Sequence, residues 1–194
     1  GTGAAEWQHR LLMASDNPDA AGNFTADSES VAALVPPSYS VSRVSLATTS
    51  GEAGRQAILQ AMGEGVGVFN YIGHGSLDRL ADENLFTSAD VASLNNADRM
   101  PVFLAMTCSV GNFAIPGYPS LGEAMLLRKG GGAFAVWAPS GLSENTHAVR
   151  LDQGFFRGAF VDNEKVVGDL VVRGLRDLDA PGSEYMRYMY NLLG

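Results

Sequence analysis

One stretch sets the architecture of this chain: Val66-Gly67-Val68-Phe69-Asn70-Tyr71-Ile72-Gly73-His74-Gly75-Ser76. Residues 66–72 are β-prone and largely apolar on both faces, as in a central parallel strand that is buried on both sides. The glycines on either side of His74 allow a sharp turn and a close approach of the backbone to a ligand. The sequence therefore predicts a buried strand with a histidine just beyond its carboxyl end.

Strand-like and helix-like segments alternate on both sides of this stretch. The predicted strands are 10–14, 41–46, 66–72, 101–106 and 133–137, and the predicted helices are 27–34, 50–62, 89–94, 120–127, about 144–160 and 163–178. Ser50 and Thr87 stand where they can cap two of these helices. Alternating strands and helices predict an α/β fold: a three-layer αβα sandwich with a mostly parallel central sheet, in one domain of residues 1–194.

A second motif, Thr107-Cys108-Ser109-Val110-Gly111-Asn112-Phe113, follows the predicted strand 101–106, and Cys108 is the only cysteine. His74 and Cys108 each come two residues after an apolar run. Ligands bind beyond the carboxyl ends of the strands in open α/β sheets, so we expect both side chains at one sheet edge.

A thiol beside an imidazole has the chemistry of a cysteine nucleophile. The imidazole raises the thiolate fraction and protonates a leaving amine, and the amides of Gly75 and Cys108 are candidate donors to an oxyanion. Hydrolysis of a peptide bond is therefore the leading hypothesis. Each motif alone has an ordinary explanation, because a single cysteine on an apolar strand is most often a core residue.

The bulk composition excludes several other functions. A net charge of −8, with 13 basic residues and no basic run, argues against nucleic-acid binding. No apolar run approaches the roughly 18 residues that span a bilayer. Three histidines and one cysteine give no zinc spacing, and no nucleotide-binding motif stands in its proper context. No cofactor is expected for the chemistry.

An acidic segment follows the first predicted strand and includes Asp16, Asp19, Asp27 and Glu29. Three interpretations of this segment are open. It is a solvated loop and helix start, it supplies a carboxylate that orients His74, or it supplies oxygen ligands for calcium. Trp137, at the end of strand 133–137, is either a core residue or a wall of a substrate pocket, with Ser140 just beyond it.

The motifs resemble those of the gingipain family of cysteine peptidases, and the resemblance covers nearly the whole chain. It is carried by Asn70-Tyr71-Ile72-Gly73-His74-Gly75-Ser76, Cys108-Ser109-Val110-Gly111-Asn112-Phe113 and Pro119-Ser120-Leu121-Gly122-Glu123-Ala124. The resemblance implies a caspase-like fold with a Cys–His dyad. It also implies a larger secreted or cell-surface precursor with a prodomain, of which this chain is expected to be a fragment.

The resemblance also assigns roles to single residues. Cys108 is the nucleophile, His74 the general acid and base, and the amides of Gly75 and Cys108 the oxyanion hole. Asp16 resembles the carboxylate that orients the histidine. Family members are best known for cutting after Arg or Lys by means of an acidic residue, for which Asp27 is the candidate.

The same resemblance makes Trp137 a wall of the pocket for the residue before the scissile bond, with Ser140 beside it. Family structures carry calcium, for which Asp16, Asp19 and Asp27 are candidate ligands. The expected function is that of a cysteine endopeptidase that acts through an acyl-enzyme on a peptide or protein substrate. Two alternatives stay open: a catalytically silent module that binds a peptide or partner, and a transpeptidase.

Overall fold

The structure, a computed structural model, describes residues 6–194, so the first five residues of the predicted domain lie outside it. The main sheet contains the strands β1 (Arg10–Ser15), β2 (Ser40–Ser45), β3 (Val68–Ile72), β7 (Val102–Met106), β8 (Ala135–Pro139) and β9 (Tyr190–Leu193). A small second sheet contains β4 (Gly75–Ser76), β5 (Arg79–Leu80) and β6 (Phe86–Thr87).

The order of the main sheet is β2-β1-β3-β7-β8-β9. All neighbours are parallel except β8 and β9, which run antiparallel. Ser15 is in register with Ile72, and Ile72 is in register with Met106. The carboxyl ends of β1, β3 and β7 therefore lie side by side, which is the edge where the sequence places its two motifs.

Seven α-helices surround the sheet within the described residues: α1 (Phe24–Ala32), α2 (Gly51–Glu64), α3 (Ser88–Val91), α4 (Leu121–Leu127), α5 (Asn145–Phe160), α6 (Val167–Asp177) and α7 (Glu184–Met189). Ser50 caps α2, as predicted, by accepting from the Ala53 amide at 3.2 Å. Thr87 and Asp90 form a reciprocal capping box on α3. The structure thus confirms both predicted caps.

Alternate residues of the buried strands divide the core into two layers, one on each face of the sheet. Phe69 and Tyr71 of β3 pack with α2, α3 and α4, whereas Leu104 of β7 and Trp137 of β8 pack with α1, α5 and α6. Strands buried on both faces are the reason for the continuous apolar runs in the sequence. The predicted αβα sandwich is confirmed.

Four features differ from the sequence prediction. Helix α1 begins at Phe24 rather than at residue 27, because the Asn23 side chain caps it by accepting from the Ala26 amide at 3.1 Å. The small sheet was not predicted, since two-residue strands carry no periodicity. Helix α7 and strand β9 were also missed. Among the described residues, no helix is both long enough and apolar enough to cross a membrane.

Candidate active site

His74 lies beyond the end of β3 in a turn that leaves no room for side chains on either side of it. A Cβ atom at Gly73 would fall 2.4 Å from the Cβ of Asp16, and one at Gly75 would fall 2.4 Å from the Oγ1 of Thr107. Separations below about 3 Å do not occur for real Cβ atoms. The sequence predicts that the backbone beside His74 comes close to a ligand. In the structure this backbone packs instead against the ends of the neighbouring strands, and Gly75 contacts Thr107, the residue before Cys108.

The imidazole of His74 contacts Asp19. Its Nε2 lies 2.8 Å from the Oδ2 of Asp19, and its ring meets the ring of Phe24 edge-on with the centroids 5.2 Å apart. The His74 side chain is 46 % exposed. The hydrogen bond with His74 is the main reason why the pKa of Asp19 is lowered from its usual value.

Asp16, which the resemblance assigns to orienting the histidine, contacts the backbone of His74 rather than its ring. The buried Asp16 carboxylate accepts from the backbone amides of His74 at 3.0 Å and of Asn17 at 2.8 Å. Burial raises the pKa of Asp16, and these two hydrogen bonds partly offset the rise. Asp16 therefore fixes the turn that carries the imidazole, and the carboxylate on the ring is that of Asp19.

Cys108 follows the end of β7 and is half-buried. The Ser143 amide donates to its sulfur at 3.3 Å, and the thiol donates to the Ser143 carbonyl oxygen at 3.6 Å. Ser109 has a φ of 56°, a left-handed conformation that is costly for a residue with a side chain. Its amide is held by the carbonyl oxygen of Gly141 at 2.9 Å. The backbone that follows the thiol is therefore fixed by its contact with Gly141.

His74 and Cys108 line the same small cavity, with a volume of about 40 Å³. Thr107, Ser143 and Asn145 contribute polar groups to its walls. Within the described part of the chain, Thr107 Oγ1 and Asn145 Oδ1 are buried without a hydrogen-bond partner. The structure thus brings together the two side chains that the sequence placed at one sheet edge, beside two unpaired hydrogen-bonding oxygens.

Asp27, the predicted specificity residue, is hydrogen-bonded to Asn145, which lines this cavity. Its Oδ2 accepts from the Asn145 amide group at 2.7 Å. Asp27 comes from α1 and Asn145 from the start of α5, so the contact joins two helices across the cavity wall. Asp27 is therefore adjacent to a residue that lines the cavity.

The other two predicted substrate-binding residues face elsewhere. Trp137 is fully buried, stacked on Phe155 and edge-on to Tyr190, so the structure places it in the core, as one of its two interpretations has it. The amide and the hydroxyl of Ser140 both donate to the Met189 carbonyl oxygen, at 2.9 and 3.2 Å. Ser140 therefore ties the end of β8 to the end of α7.

The three carboxylates predicted to bind calcium point to different partners. Asp16 binds backbone amides, Asp19 binds His74 and Asp27 binds Asn145. Within residues 6–194, no group of three or more His, Cys, Asp or Glu side chains lies close enough to hold a metal ion. These residues do not fit a calcium site.

Sequence reasoning missed the contribution of the C-terminal segment to the site. Tyr190, the first residue of β9, lies with its hydroxyl 2.9 Å from the Oγ of Ser143, and the Met186 sulfur is 3.9 Å from the same atom. These residues lie more than 70 positions after Cys108 in the chain. No local pattern marks them, because only the pairing of β9 with β8 brings them to the thiol.

A thiol and an imidazole at the carboxyl edge of a mostly parallel αβα sheet are the arrangement of the caspase-like cysteine peptidases. The chain belongs to Peptidase family C25, the gingipain family, whose sequence model matches residues 2–194. The family resemblance seen in the sequence is thereby confirmed. No curated protein sequence matches the chain significantly.

Solved structures share the fold at low sequence identity. The Arg-specific cysteine proteinase gingipain R (RgpB) has a TM-score of 0.84 and 18 % identity, over 97 % of this chain and 46 % of that one. The complex of Porphyromonas gingivalis RgpB pro- and mature domains gives 0.83 and 17 %, over 97 % and 48 %. A structure described as a protease gives 0.78 and 16 %, over 97 % and 47 %. The chain thus spans about half the length of these proteins.

Proposed function

We propose that this chain is the catalytic part of a cysteine endopeptidase in which Cys108 is the nucleophile and His74 the general acid and base. The observation that carries the proposal is that His74 and Cys108 line one cavity at the carboxyl edge of the sheet. Membership of a peptidase family and the fold shared with cysteine proteinases support it.

In the proposed reaction, the Cys108 thiolate attacks the scissile carbonyl carbon and forms a tetrahedral intermediate. The amides of Gly75 and Cys108 stabilise its oxyanion, a contribution worth roughly 3–4 kcal/mol per donor in other enzymes. The close approach of Gly75 to Thr107, the residue before Cys108, supports this role. His74 protonates the leaving amine, and a water molecule activated by His74 then hydrolyses the acyl-enzyme.

Asp19 is the carboxylate that we propose to orient His74 during this reaction. A histidine ring has two nitrogens, and the Asp19 contact occupies Nε2. Nδ1 is then the nitrogen that exchanges a proton with the thiol and the leaving group. An imidazolium formed during the reaction is stabilised by the adjacent charge of Asp19.

Cleavage after Arg or Lys is the proposed specificity, with Asp27 as the counter-charge. The cavity of about 40 Å³ is too small for either side chain, and the Asn145 amide occupies the Asp27 carboxylate. The cavity must therefore widen as a cationic side chain enters, and the Asp27 carboxylate can accept from that side chain beside Asn145 or in its place. The N–H groups of the cationic side chain would also satisfy Thr107 Oγ1 and Asn145 Oδ1, which lack donors in the described structure.

A prodomain partner and secretion to the cell exterior belong to the same proposal. The solved complex of RgpB pro- and mature domains supports the first of these for this family.

The proposed function is tested by Cys108→Ala, assayed with peptide substrates alongside thermal unfolding. We expect turnover to fall to background with a stability change within about 1 kcal/mol, because the half-buried thiol contributes little to the core. Turnover that is retained in Cys108→Ala would remove Cys108 from the reaction. A wild type without turnover, together with a large loss of stability in Cys108→Ala, would instead support a core cysteine in a silent binding module.

A further inference from the structure

Ser143 is the residue that holds the sulfur of Cys108. Its amide donates to the sulfur at 3.3 Å, and its carbonyl oxygen accepts from the thiol at 3.6 Å. An N–H group directed at sulfur stabilises the thiolate, which is the nucleophilic form. Ser143 lies in the loop between β8 and α5, so the position of the sulfur depends on what fixes that loop.

The side chain of Ser143 is fixed by Tyr190. The two hydroxyl oxygens are 2.9 Å apart, and Tyr190 is only 4 % exposed. Tyr190 pairs with Pro139 of β8, and its ring meets Trp137 edge-on with the centroids 5.8 Å apart. The sheet and the core therefore hold the Tyr190 hydroxyl in place. The loop that carries Ser143 has no such support of its own.

Burial keeps this hydroxyl in one protonation state. It raises the pKa of Tyr190 well above its usual value, so the phenol stays neutral throughout the working range of an enzyme. A neutral phenol can donate to Ser143 Oγ at every relevant pH. The contact is thus a permanent link from the end of the sheet to the residue that touches the sulfur.

We propose that Tyr190 is a positioning residue for the Cys108 nucleophile and that it acts through Ser143. The proposal rests on the proposed role of Cys108, and it assigns to the C-terminal segment a function in the reactivity of the thiol. Neither residue exchanges a proton or forms a bond with substrate. Their contribution is to hold the Ser143 amide where it supports the thiolate.

The test measures the rate at which iodoacetamide alkylates Cys108 in the wild type, Tyr190→Phe, Ser143→Ala and the double variant. Tyr188→Phe is the matched control, because it removes the same hydroxyl from an 85 % exposed residue of the same segment. We expect each single variant to slow alkylation roughly 3- to 10-fold and the double variant to be slower by much less than the product of the two losses, since all three remove the hydrogen bond between Tyr190 and Ser143. Ser143→Thr, which keeps a hydroxyl, should restore most of the rate.

The proposal would be overturned by alkylation of Tyr190→Phe as fast as that of Tyr188→Phe, by single losses that multiply in the double variant, or by no rescue in Ser143→Thr. Urea unfolding of each variant separates a local effect from a loss of folded protein, and a rate loss equal to the unfolded fraction also overturns it. Iodoacetamide needs no peptide site. A wild type that alkylates rapidly but cleaves no peptide would therefore contradict the proposed peptidase while leaving the positioning role measurable.

Discussion

At the scale of single residues, the structure separates two aspartates that the sequence could not tell apart. Both follow β1, and either could face His74. The buried Asp16 binds the His74 backbone, whereas the half-exposed Asp19 binds the ring. The sequence shows which strand end carries the carboxylates. It does not show which of them reaches the imidazole, because that depends on the path of the loop between residues 16 and 23.

This division predicts different effects for the two corresponding variants. Asp16→Asn should destabilise the fold by about 1–3 kcal/mol, since a buried acceptor of two backbone amides is weakened. Asp19→Asn should leave the unfolding free energy within about 0.5 kcal/mol and reduce kcat, because the imidazole loses its orienting charge. Denaturant unfolding and peptide kinetics on both variants check this. The reverse pattern would return the orienting role to Asp16.

Asp27 is the residue that we propose to set the preference for Arg and Lys substrates. Asp27→Asn should lower kcat/KM for Arg and Lys substrates about 100-fold while sparing substrates with neutral side chains, since the counter-charge is lost. Glu29→Gln is the control, because Glu29 belongs to the same acidic segment but pairs with Arg43 on an exposed surface. An equal loss on all substrates would show that Asp27 supports the fold rather than the pocket.

At the scale of elements, most strands and helices could be predicted because each carries its own periodicity. The five parallel strands and the two capped helices follow from local sequence. Strand β9 could not be predicted, since Tyr190–Leu193 is short and gains its structure from pairing with β8. Trp137 depends on the same pairing: the sequence leaves it as a core residue or a pocket wall, and the packing of Phe155 and Tyr190 against it places it in the core.

Helices α5 and α6 pack closely because glycines face each other where the two helices meet. A Cβ atom at Gly154 would lie 2.7 Å from the Cα of Gly174. Gly154→Ala should therefore force the helices apart and cost about 1–3 kcal/mol. Gly168→Ala is the control in α6, where nothing lies within 4 Å, and should be neutral or stabilising by up to about 1 kcal/mol. If urea unfolding gives the same change in stability for Gly154→Ala and Gly168→Ala, the helices are not packed as closely as described.

At the scale of the whole molecule, one buried carboxyl group makes stability depend on pH. Asp152 is fully buried and accepts one hydrogen bond, from Asn70 at 2.8 Å. Burial raises its pKa to about 7, and the Asn70 bond only partly offsets this. Asp152 Oδ1 and Asn70 Oδ1 have no partner among the described residues, so a proton on the carboxyl group supplies a donor that the pair lacks.

The sign of the pH effect follows from the raised pKa. Between about pH 4 and pH 7 the folded protein keeps a proton on Asp152 that the unfolded chain has lost, so the free energy of unfolding falls as pH rises. The fall amounts to roughly 4 kcal/mol at most and ends above pH 7. Asp152→Asn should remove this part of the profile. If the free energy of unfolding of Asp152→Asn falls between about pH 4 and pH 7 as steeply as that of the wild type, Asp152 is not the source of the pH dependence.

Adduct formation on the intact protein tests whether Cys108 and His74 act as a catalytic dyad. Intact mass spectrometry would follow incubation with acyloxymethyl-ketone peptides that carry Arg, Lys, Asp or Leu next to the reactive group. The account predicts one adduct, on Cys108, with the Arg and Lys peptides, absent in Cys108→Ala and strongly slowed in His74→Ala. No adduct with any peptide, together with a Cys108 inert to small alkylating agents, would contradict the dyad.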